Sequence, residues 1–412
     1  MRASEVSGFT ARTHVERSAA GLLAVCMGFL LSVPLCAARS DPATGRVRLI
    51  YFGDPIGASP FPFMMNEPLL APAAVMACKM WYPYETIRKS MRIYAPRTFE
   101  ALDSSYDMII LSDANVLSFE TRHLDWFSHF VADKGGGLAM IGGFESFGGQ
   151  GYLSWGPTPV GDVLPVECVA GGYNAEGQII IVQPDCPVVS NLPWNTLGPS
   201  NYLGGNRVTL KTGSELVARF SDSNPLFVWW KCGKGRSYAM AGDWTPAGGT
   251  QFMKWDYYGD YAVNVVLFTA SEEVPADVEI MHSVRGILRA YGETKGYLYS
   301  LMDFAEKFGA SMNGIERSIG EAELEASRAR SLYMSYDFHG AASAAAEAVA
   351  MLEAALDDAV RAKDSAMLWV FLVEWLAVIS TCMVSGLVLY ELMIARRLLK
   401  PAPSSIFTKG MS

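Results

Sequence analysis

The chain has 412 residues, a net charge of −9 at pH 7 and a mean hydropathy of +0.17. At roughly 150 residues per domain it holds two or three structural units, which excludes a miniprotein. Half of its residues are apolar and only 18% are charged. Part of the chain is therefore expected to lie in lipid.

An uncharged stretch near the N-terminus predicts a secretory signal. It covers residues 18–38 and follows Arg2, Arg12 and Arg17, which is the order of charge and apolar residues that such signals have. Small residues before Arg39 suit a signal peptidase, so we expect residues 1–38 to be removed. The length of the preceding segment leaves an uncleaved signal anchor as the alternative.

A second apolar stretch, residues 368–394, is long enough for a tilted transmembrane helix. Its charged residues are Glu374 and Glu391, and the following tail, residues 395–412, carries four basic residues and no acidic one. The positive-inside rule places this tail in the cytoplasm and the preceding chain outside, as in a single-pass type I protein of the cell membrane. A buried helix of a soluble protein is the alternative. Glu374 is either a functional intramembrane carboxylate or reaches the headgroups.

The exported part of the chain is strongly acidic. Subtracting the charges of the leader (+1), the span (−2) and the tail (+4) from the net charge leaves −12 on residues 39–365. Such a surface is unsuited to nucleic-acid binding. Four cysteines in an oxidising compartment permit two disulfides in three possible pairings, and their spacing is not that of a zinc site. They are Cys78, Cys168, Cys186 and Cys232. No metal ligand and no cofactor are predicted.

Between residues 46 and 270, short apolar runs alternate with clusters of Gly, Pro and Asn. Continuous apolar runs of this length are typical of parallel strands that are buried on both faces. A helix is expected between the second and third runs, with Ser118 as its N-cap. The predicted strands cover residues 47–52, 106–111, 138–141, 178–183, 226–232 and 236–241.

After Pro275 the composition changes, and three helices are predicted over residues 276–308, 311–333 and 338–365. Ala341, Ala345 and Ala348 share one face of the third helix, where small side chains let another helix or another copy of the chain approach closely. No Gly or Pro separates this helix from the predicted span. Residues 275–365 therefore read as a helical stalk domain that meets a partner protein.

Five segments in the first domain resemble one known superfamily. They are residues 106–113, 135–148 (GGGLAMIGGFESFG), 158–166, 233–239 and 242–246. Their order and spacing resemble the class I glutamine amidotransferase-like superfamily, and within it the putative glutamine amidotransferase family related to the ThuA-like proteins. The resemblance implies an α/β, flavodoxin-like three-layer sandwich over residues 46–270, with a parallel sheet between helices.

The resemblance also implies a chemistry that the residues do not supply. Class I amidotransferases use a cysteine on a strand-to-helix elbow, activated by a histidine. The matching elbow position falls on Gly142 or Gly143, and no histidine occurs between His129 and His282. We therefore predict no catalytic residues and a domain that does not hydrolyse glutamine.

Four carboxylates follow the predicted strands and are expected to meet at the carboxyl edge of the sheet, where open α/β sheets bind ligands. Clustered carboxylates hold a cation or raise one another's pKa. In the alternative interpretation each aspartate caps the loop or helix after its strand. The predicted ligand-binding residues are Asp54, Asp113, Phe144, Glu145, Asp243 and Trp244.

Together these features predict a membrane-anchored, non-catalytic subunit of the cell envelope that binds a ligand or serves as a protein scaffold. Its partner would be a membrane or envelope protein, or a second copy that associates through the stalk. The alternative function is an envelope hydrolase that uses Asp243 with Glu145 or Asp113, assisted by a metal ion.

Overall fold

A computed structural model describes residues 39–55, 59–149, 154–198 and 201–398. The predicted signal peptide and residues 399–412 of the predicted tail lie outside the described residues. The chain divides into two compact units, residues 1–282 and 283–412. They are called the α/β unit and the helical unit below.

A nine-stranded sheet forms the centre of the described part of the α/β unit, in the order β2-β1-β3-β4-β11-β10-β9-β6-β7, and β5 pairs with β8 in a small second sheet. The strands are β1 Val47–Gly53, β2 Leu70–Met76, β3 Met108–Ser112, β4 Gly137–Ile141, β5 Val166–Cys168, β6 Ala175–Ile181, β7 Tyr202–Gly205, β8 Val208–Leu210, β9 Glu215–Phe220, β10 Pro225–Cys232 and β11 Gly235–Met240.

The strands β2, β1, β3, β4 and β11 are neighbours and run parallel. This confirms the parallel arrangement predicted for β1, β3, β4 and β11, whereas no strand was predicted at β2. Their register places Tyr51, Ile110, Ala139 and Tyr238 in one row across the sheet. All residues of β3 and β4 are buried. Continuous apolar strands of this kind need cover on both faces.

Helices supply that cover. In the α/β unit they are α1 Phe61–Asn66, α2 Tyr84–Tyr94, α3 Phe99–Ser105, α4 Thr121–Ala132, α5 Pro159–Val163, α6 Thr250–Met253 and α7 Tyr258–Thr269, and α8 begins at Val278. A Cβ on Gly136 would lie 2.1 Å from the ring of Phe130 in α4, and one on Gly137 would lie 2.5 Å from the carbonyl oxygen of Thr269 in α7. Successive residues of an extended chain point to opposite faces, so α4 and α7 cover opposite faces. The predicted α/β sandwich is confirmed.

The other half of the sheet differs from the parallel half. β10, β9, β6 and β7 pair antiparallel, and β10 joins β11 through a tight turn. Gly233 in that turn has φ 59°, and a Cβ there would lie 2.2 Å from the carbonyl oxygen of Ala132. Only glycine fits this position, because any other residue would have a strained backbone and a Cβ that overlaps the carbonyl oxygen of Ala132.

The N-cap predicted for α4 is wrong. The helix begins at Thr121, and the amide of Glu120 donates to Nδ1 of His123 at 3.1 Å, as in a capping box. Ser118 instead ends a short 3-10 turn, and its hydroxyl donates to the carbonyl oxygen of Ala77. The hydroxyl of Ser118 is therefore engaged with the segment after β2 and does not cap α4.

The two disulfides that the sequence permits are not formed. The four cysteines named above are free thiols, with Cys78 and Cys186 buried and Cys168 and Cys232 half-buried. The Cys78 sulfur lies 3.3 Å from Oδ2 of Asp113. Its environment is therefore that of a buried thiol beside a carboxyl group.

Alanines form much of the interior of the helical unit. Its helices are the rest of α8, which ends at Glu306, α9 Asn313–Met334 and α10 Phe338–Leu398. Ala348 packs with Ala322 and Ala326 of α9, and Ala345 packs with Ala329. The small-residue face predicted for another helix or another copy is therefore covered by this chain's own α9. It is not free for a partner.

The second half of α10 has a different character. It is long and apolar enough to cross a membrane, and none of its apolar segment is buried. The helix is continuous from Phe338 to Leu398 and has Arg396 and Arg397 in its last turn. The prediction of one helix shared by stalk and span agrees with this continuity.

Candidate functional site

The carboxyl ends of β1, β3, β4 and β11 lie at one edge of the sheet, because these strands are parallel neighbours. Asp54 directly follows β1 and Asp113 directly follows β3, whereas Glu145 and Asp243 lie a few residues beyond β4 and β11. The structure brings together all four carboxylates singled out in the sequence. We call them the carboxylate cluster.

The elbow after β4 has no room for a side chain. A Cβ on Gly142 would lie 2.2 Å from the carbonyl oxygen of Ala241, and one on Gly143 would lie 2.3 Å from Oδ1 of Asp113. Both distances are far below normal contact. The elbow therefore lacks a thiol, and the packing around it leaves no space for one.

Asn206 holds the loop that follows this elbow. This fully buried side chain accepts a hydrogen bond from the amide of Gly143 at 2.9 Å, and donates to the carbonyl oxygens of Gly143 and Ser146 at 3.1 and 3.2 Å. Sequence reasoning missed Asn206. The sequence feature that could have drawn attention to it is a polar residue directly after two glycines, in Gly204-Gly205-Asn206. No sequence pattern connects this residue to a loop some 60 residues earlier.

Asp113 has an unusual backbone for a residue with a side chain, with φ 46°. Its Oδ1 accepts a hydrogen bond from the amide of Glu145 at 2.7 Å, which ties the end of β3 to the loop after β4. Burial raises the pKa of the Asp113 carboxyl to about 6 because desolvation disfavours the charged form.

Asp243 is almost completely buried, and its pKa is raised to about 7, first by burial and then by the charge of Asp113. Its Oδ1 accepts a hydrogen bond from the amide of Thr245 at 2.8 Å, the turn-capping role foreseen as the alternative. The hydroxyl of Tyr173 donates to Oδ2 at 3.3 Å. The Tyr173 ring lies against Phe144, with ring centroids 4.1 Å apart.

Asp54 and Glu145 hold the segment 79–82, which follows β2. Glu145 accepts hydrogen bonds from the amide of Lys79 at 2.5 Å and from Nδ2 of Asn115 at 2.8 Å. The hydroxyl of Tyr82 donates to Oδ1 of Asp54 at 2.5 Å. These two carboxylates therefore join loops to one another.

Cys78 is the nearest thiol to the cluster, but it is not prepared as a nucleophile. Burial and the nearby charges of Asp113 and Glu145 raise the pKa of this thiol well above its usual range. Only the thiolate is strongly nucleophilic. Sequence reasoning named Cys78 as a disulfide candidate and missed its position beside the cluster, because Pro72 obscured β2. A proline is compatible with an edge strand, which β2 is.

Trp244 lies beneath the edge and not on its surface. Its side chain is fully buried, and Nε1 donates to the hydroxyl of Ser112 at 2.8 Å. Within the described ranges, no group of three or more His, Cys, Asp or Glu side chains has an arrangement suited to a metal ion. The cluster is therefore a polar arrangement of carboxyl, hydroxyl and aromatic groups.

Residues 88–271 match the model of a family described as "Putative glutamine amidotransferase". The Cytoplasmic Protein STM3548 from Salmonella typhimurium is a structural neighbour with 23% identity and a TM-score of 0.44, over 54% of this chain and 98% of that chain. The Cytoplasmic Protein STM1381 from Salmonella typhimurium LT2 has 21% identity and a TM-score of 0.44, over 54% and 99%. No curated protein matches the chain. The resemblance inferred from the sequence is confirmed over residues 88–271, which are similar to this glutamine amidotransferase-like family.

Proposed function

We propose that this amidotransferase-like domain is part of a membrane-anchored subunit of the cell envelope and binds a ligand or a protein without hydrolysing glutamine. The observation that supports this proposal most strongly is the closed space at Gly142 and Gly143. A thiol at either position would overlap Ala241 or Asp113. At this elbow there is neither the nucleophile of a glutaminase nor the volume to hold one.

The backbone amides near the elbow are also engaged. Stabilising an oxyanion requires N–H groups that point at the reacting carbonyl. Here the amide of Gly143 donates to Asn206, and the amide of Glu145 donates to Asp113. A substrate would have to displace both of these hydrogen bonds.

The described histidines make contacts elsewhere. His129 lies 2.5 Å from Asp133, and His282 lies 2.8 Å from Asp260. His123 accepts a hydrogen bond from the amide at the start of its own helix. None of these contacts involves the carboxylate cluster, so none of the three histidines described in the α/β unit supports acyl-transfer chemistry there.

The polar and aromatic groups of the carboxylate cluster and its neighbours could still bind a ligand. A carboxyl group donates a hydrogen bond when protonated and accepts when ionised. The raised pKa values of Asp113 and Asp243, about 6 and about 7, therefore let the pair do both near neutral pH. With the hydroxyl of Tyr173 and the ring of Phe144, this chemistry suits a small ligand that carries amide or hydroxyl groups.

We place the folded units outside the cell membrane and the C-terminal tail in the cytoplasm, in type I topology. The uncovered apolar half of α10 and the arginines in its last turn support this orientation. A cleaved signal over residues 1–38 would deliver the chain there. The partner surface would be the exposed side chains of the helical unit, including Tyr297, Tyr299 and Leu324.

A hydrolase is the second candidate, and the pKa values favour it specifically. Two neighbouring carboxyl groups whose pKa values are about 6 and about 7 can serve as a general acid and a general base. The reaction would use Asp243 with Asp113 or Glu145. Its activity should follow a bell-shaped pH profile and depend on Asp243.

Calorimetry and ammonia release on the full-length protein in mild detergent separate the two candidates. The probes are glutamine, sorbitol, magnesium and calcium, with Tyr173→Phe and Asp243→Asn as site variants. Tyr94→Phe, at an exposed tyrosine in the same unit, is the matched control. We expect no ammonia release from glutamine, and binding of glutamine or sorbitol that is weakened in both site variants and kept in the control.

Titrations that show no binding of any probe would contradict the ligand-binding proposal. Binding of a partner protein, as a scaffold, would then be the remaining part of the proposed function. Ammonia release that disappears in Asp243→Asn would instead establish the hydrolase. Purification of the tagged full-length chain tests the scaffold directly. A stable second membrane protein supports it, and a monomer without partners argues against it.

A further inference from the structure

A groove of about 670 Å³ lies on the α/β unit and shares no lining residue with the carboxylate cluster. It runs along α2, the segment that follows this helix, and the beginning of α4. Its volume falls within the range of small-molecule sites. Phe119 and Ala95, both buried, contribute to its apolar part.

Arginines dominate the lining of this groove. Arg88 and Arg92 are one turn apart on α2, Arg97 follows that helix, and Arg122 lies in the first turn of α4. All four side chains are exposed. They belong to residues 39–365, whose net charge is strongly negative. The cluster of positive charge in the groove is therefore opposite in sign to the net charge of this region.

These guanidinium groups have little negative charge to pair with. Glu120, the acidic residue of the lining, pairs with Arg122 at 2.8 Å, and both side chains are more than half exposed. Such exposed pairs contribute little free energy. Across the described part of the chain, no ion pair involves Arg88, Arg92 or Arg97; Arg88 lies over the ring of Tyr84 instead, 5.8 Å from its centroid.

His123 adds a neutral donor. Its Nδ1 accepts a hydrogen bond from the amide of Glu120, so the proton of the neutral ring is on Nε2. Burial lowers the pKa of this imidazole and favours the neutral form. The groove therefore combines the guanidinium groups of several arginines with the neutral imidazole of His123. All of these groups donate hydrogen bonds.

We propose that this groove binds a ligand with two or more phosphate groups. The planar guanidinium group matches the oxygens of phosphate in a bidentate manner. Several arginines around one concave surface can engage more than one phosphate group at once. The phosphate groups come either from a soluble compound or from the headgroups of an anionic lipid, and the test separates these sources.

The experiment uses full-length protein in a neutral detergent, with inorganic pyrophosphate as the soluble probe in calorimetry. For the lipid probes the protein is instead reconstituted in nanodiscs of neutral lipid. Vesicles of phosphatidylglycerol or of phosphatidylcholine are then added to these nanodiscs. The test variant is Arg88→Ala with Arg92→Ala. Lys89→Ala is a matched control, because Lys89 is exposed on the same helix and does not line the groove.

We expect the double variant to bind the effective probe at least about tenfold more weakly than the native protein, and the control to stay within about twofold. Glu120→Gln should bind more tightly, because it removes the negative charge and keeps the helix cap. Binding of pyrophosphate identifies a soluble source, whereas binding of phosphatidylglycerol vesicles alone identifies a lipid.

Two results would overturn the proposal. One is that neither pyrophosphate nor phosphatidylglycerol vesicles bind to the native protein. The other is binding that Lys89→Ala weakens as much as the double variant does, since that would indicate a diffuse charge effect. Unfolding profiles of all variants confirm that these exposed substitutions leave the fold intact.

Discussion

The largest buried side chains of the α/β unit are aromatic, among them Trp155, Trp244 and Tyr261, whereas seven alanines and one leucine are the buried residues of α10 in the helical unit. A sheet covered on both faces leaves spaces that only large rings fill. Helices packed through alanines approach closely and leave little space to fill. The two units therefore differ in which substitutions they tolerate.

This difference also explains the closed elbow. In the α/β unit, the backbone of Ala241 and the side chain of Asp113 occupy the space beside Gly142 and Gly143. In the helical unit the apolar half of α10 is exposed. Our proposals therefore assign ligand contacts to the first unit and membrane contacts to the second.

The largest expected effect concerns the apolar half of α10. A chain that ends at residue 366 should move almost completely from washed membranes to the soluble fraction, because it lacks the segment that is long and apolar enough to cross a bilayer. A chain that ends at residue 398 is the control and should remain in the membrane. Sedimentation after an alkaline wash measures this. Retention of the shorter chain would show that another segment holds the membrane.

Gly143→Ala tests the closed elbow. The added methyl group would lie 2.3 Å from the Asp113 carboxylate, so the free energy of unfolding should fall by about 3 kcal/mol. Gly204→Ala is the control, because the nearest atom to its Cβ is 3.5 Å away, and it should cost less than about 1 kcal/mol. Urea unfolding followed by tryptophan fluorescence compares the two. Equal stabilities would mean that the elbow can open.

Asp243→Asn tests the electrostatics of the carboxylate cluster. The pKa of Asp243 is about 7 in the folded protein and about 4 in the unfolded chain. Its contribution to stability is therefore fully present below about pH 4 and is lost as the pH rises through about 7. The asparagine variant should lose this dependence and be more stable than the native protein at pH 8, by about 2 kcal/mol. Unfolding curves from pH 4 to pH 8 test it, and parallel profiles for both proteins would contradict it.

Ala326→Leu tests the alanine packing of the helical unit. Ala326 is fully buried beside Ala348, so the larger side chain should destabilise this unit by about 1–2 kcal/mol. Ser327→Leu is the control, because the neighbouring Ser327 is exposed. Thermal unfolding followed by helical circular dichroism measures both variants. A similar midpoint for the two would show that α9 and α10 separate easily.

Local patterns were sufficient for a large part of the fold. The apolar runs located β1, β3 and β4, and the composition change after Pro275 located the helices. The strand-end carboxylates were found in the same way, because each follows a run that is visible in the sequence. Pro72 hid β2, and the glycine-rich loop around Tyr173 has no periodicity, so the residues near them were missed.

The sequence by itself determined β1, β3, β4, β6, β10 and β11, the helices of the second unit, the apolar segment of α10 and the missing thiol, because these depend on short-range periodicity and residue type. Tertiary structure alone decided that Asn206 clamps the elbow, that α9 covers the alanine face, and that the arginines of α2 and α4 line one groove. These contacts join residues far apart along the chain. Their proximity depends on how the elements pack, which no local pattern encodes.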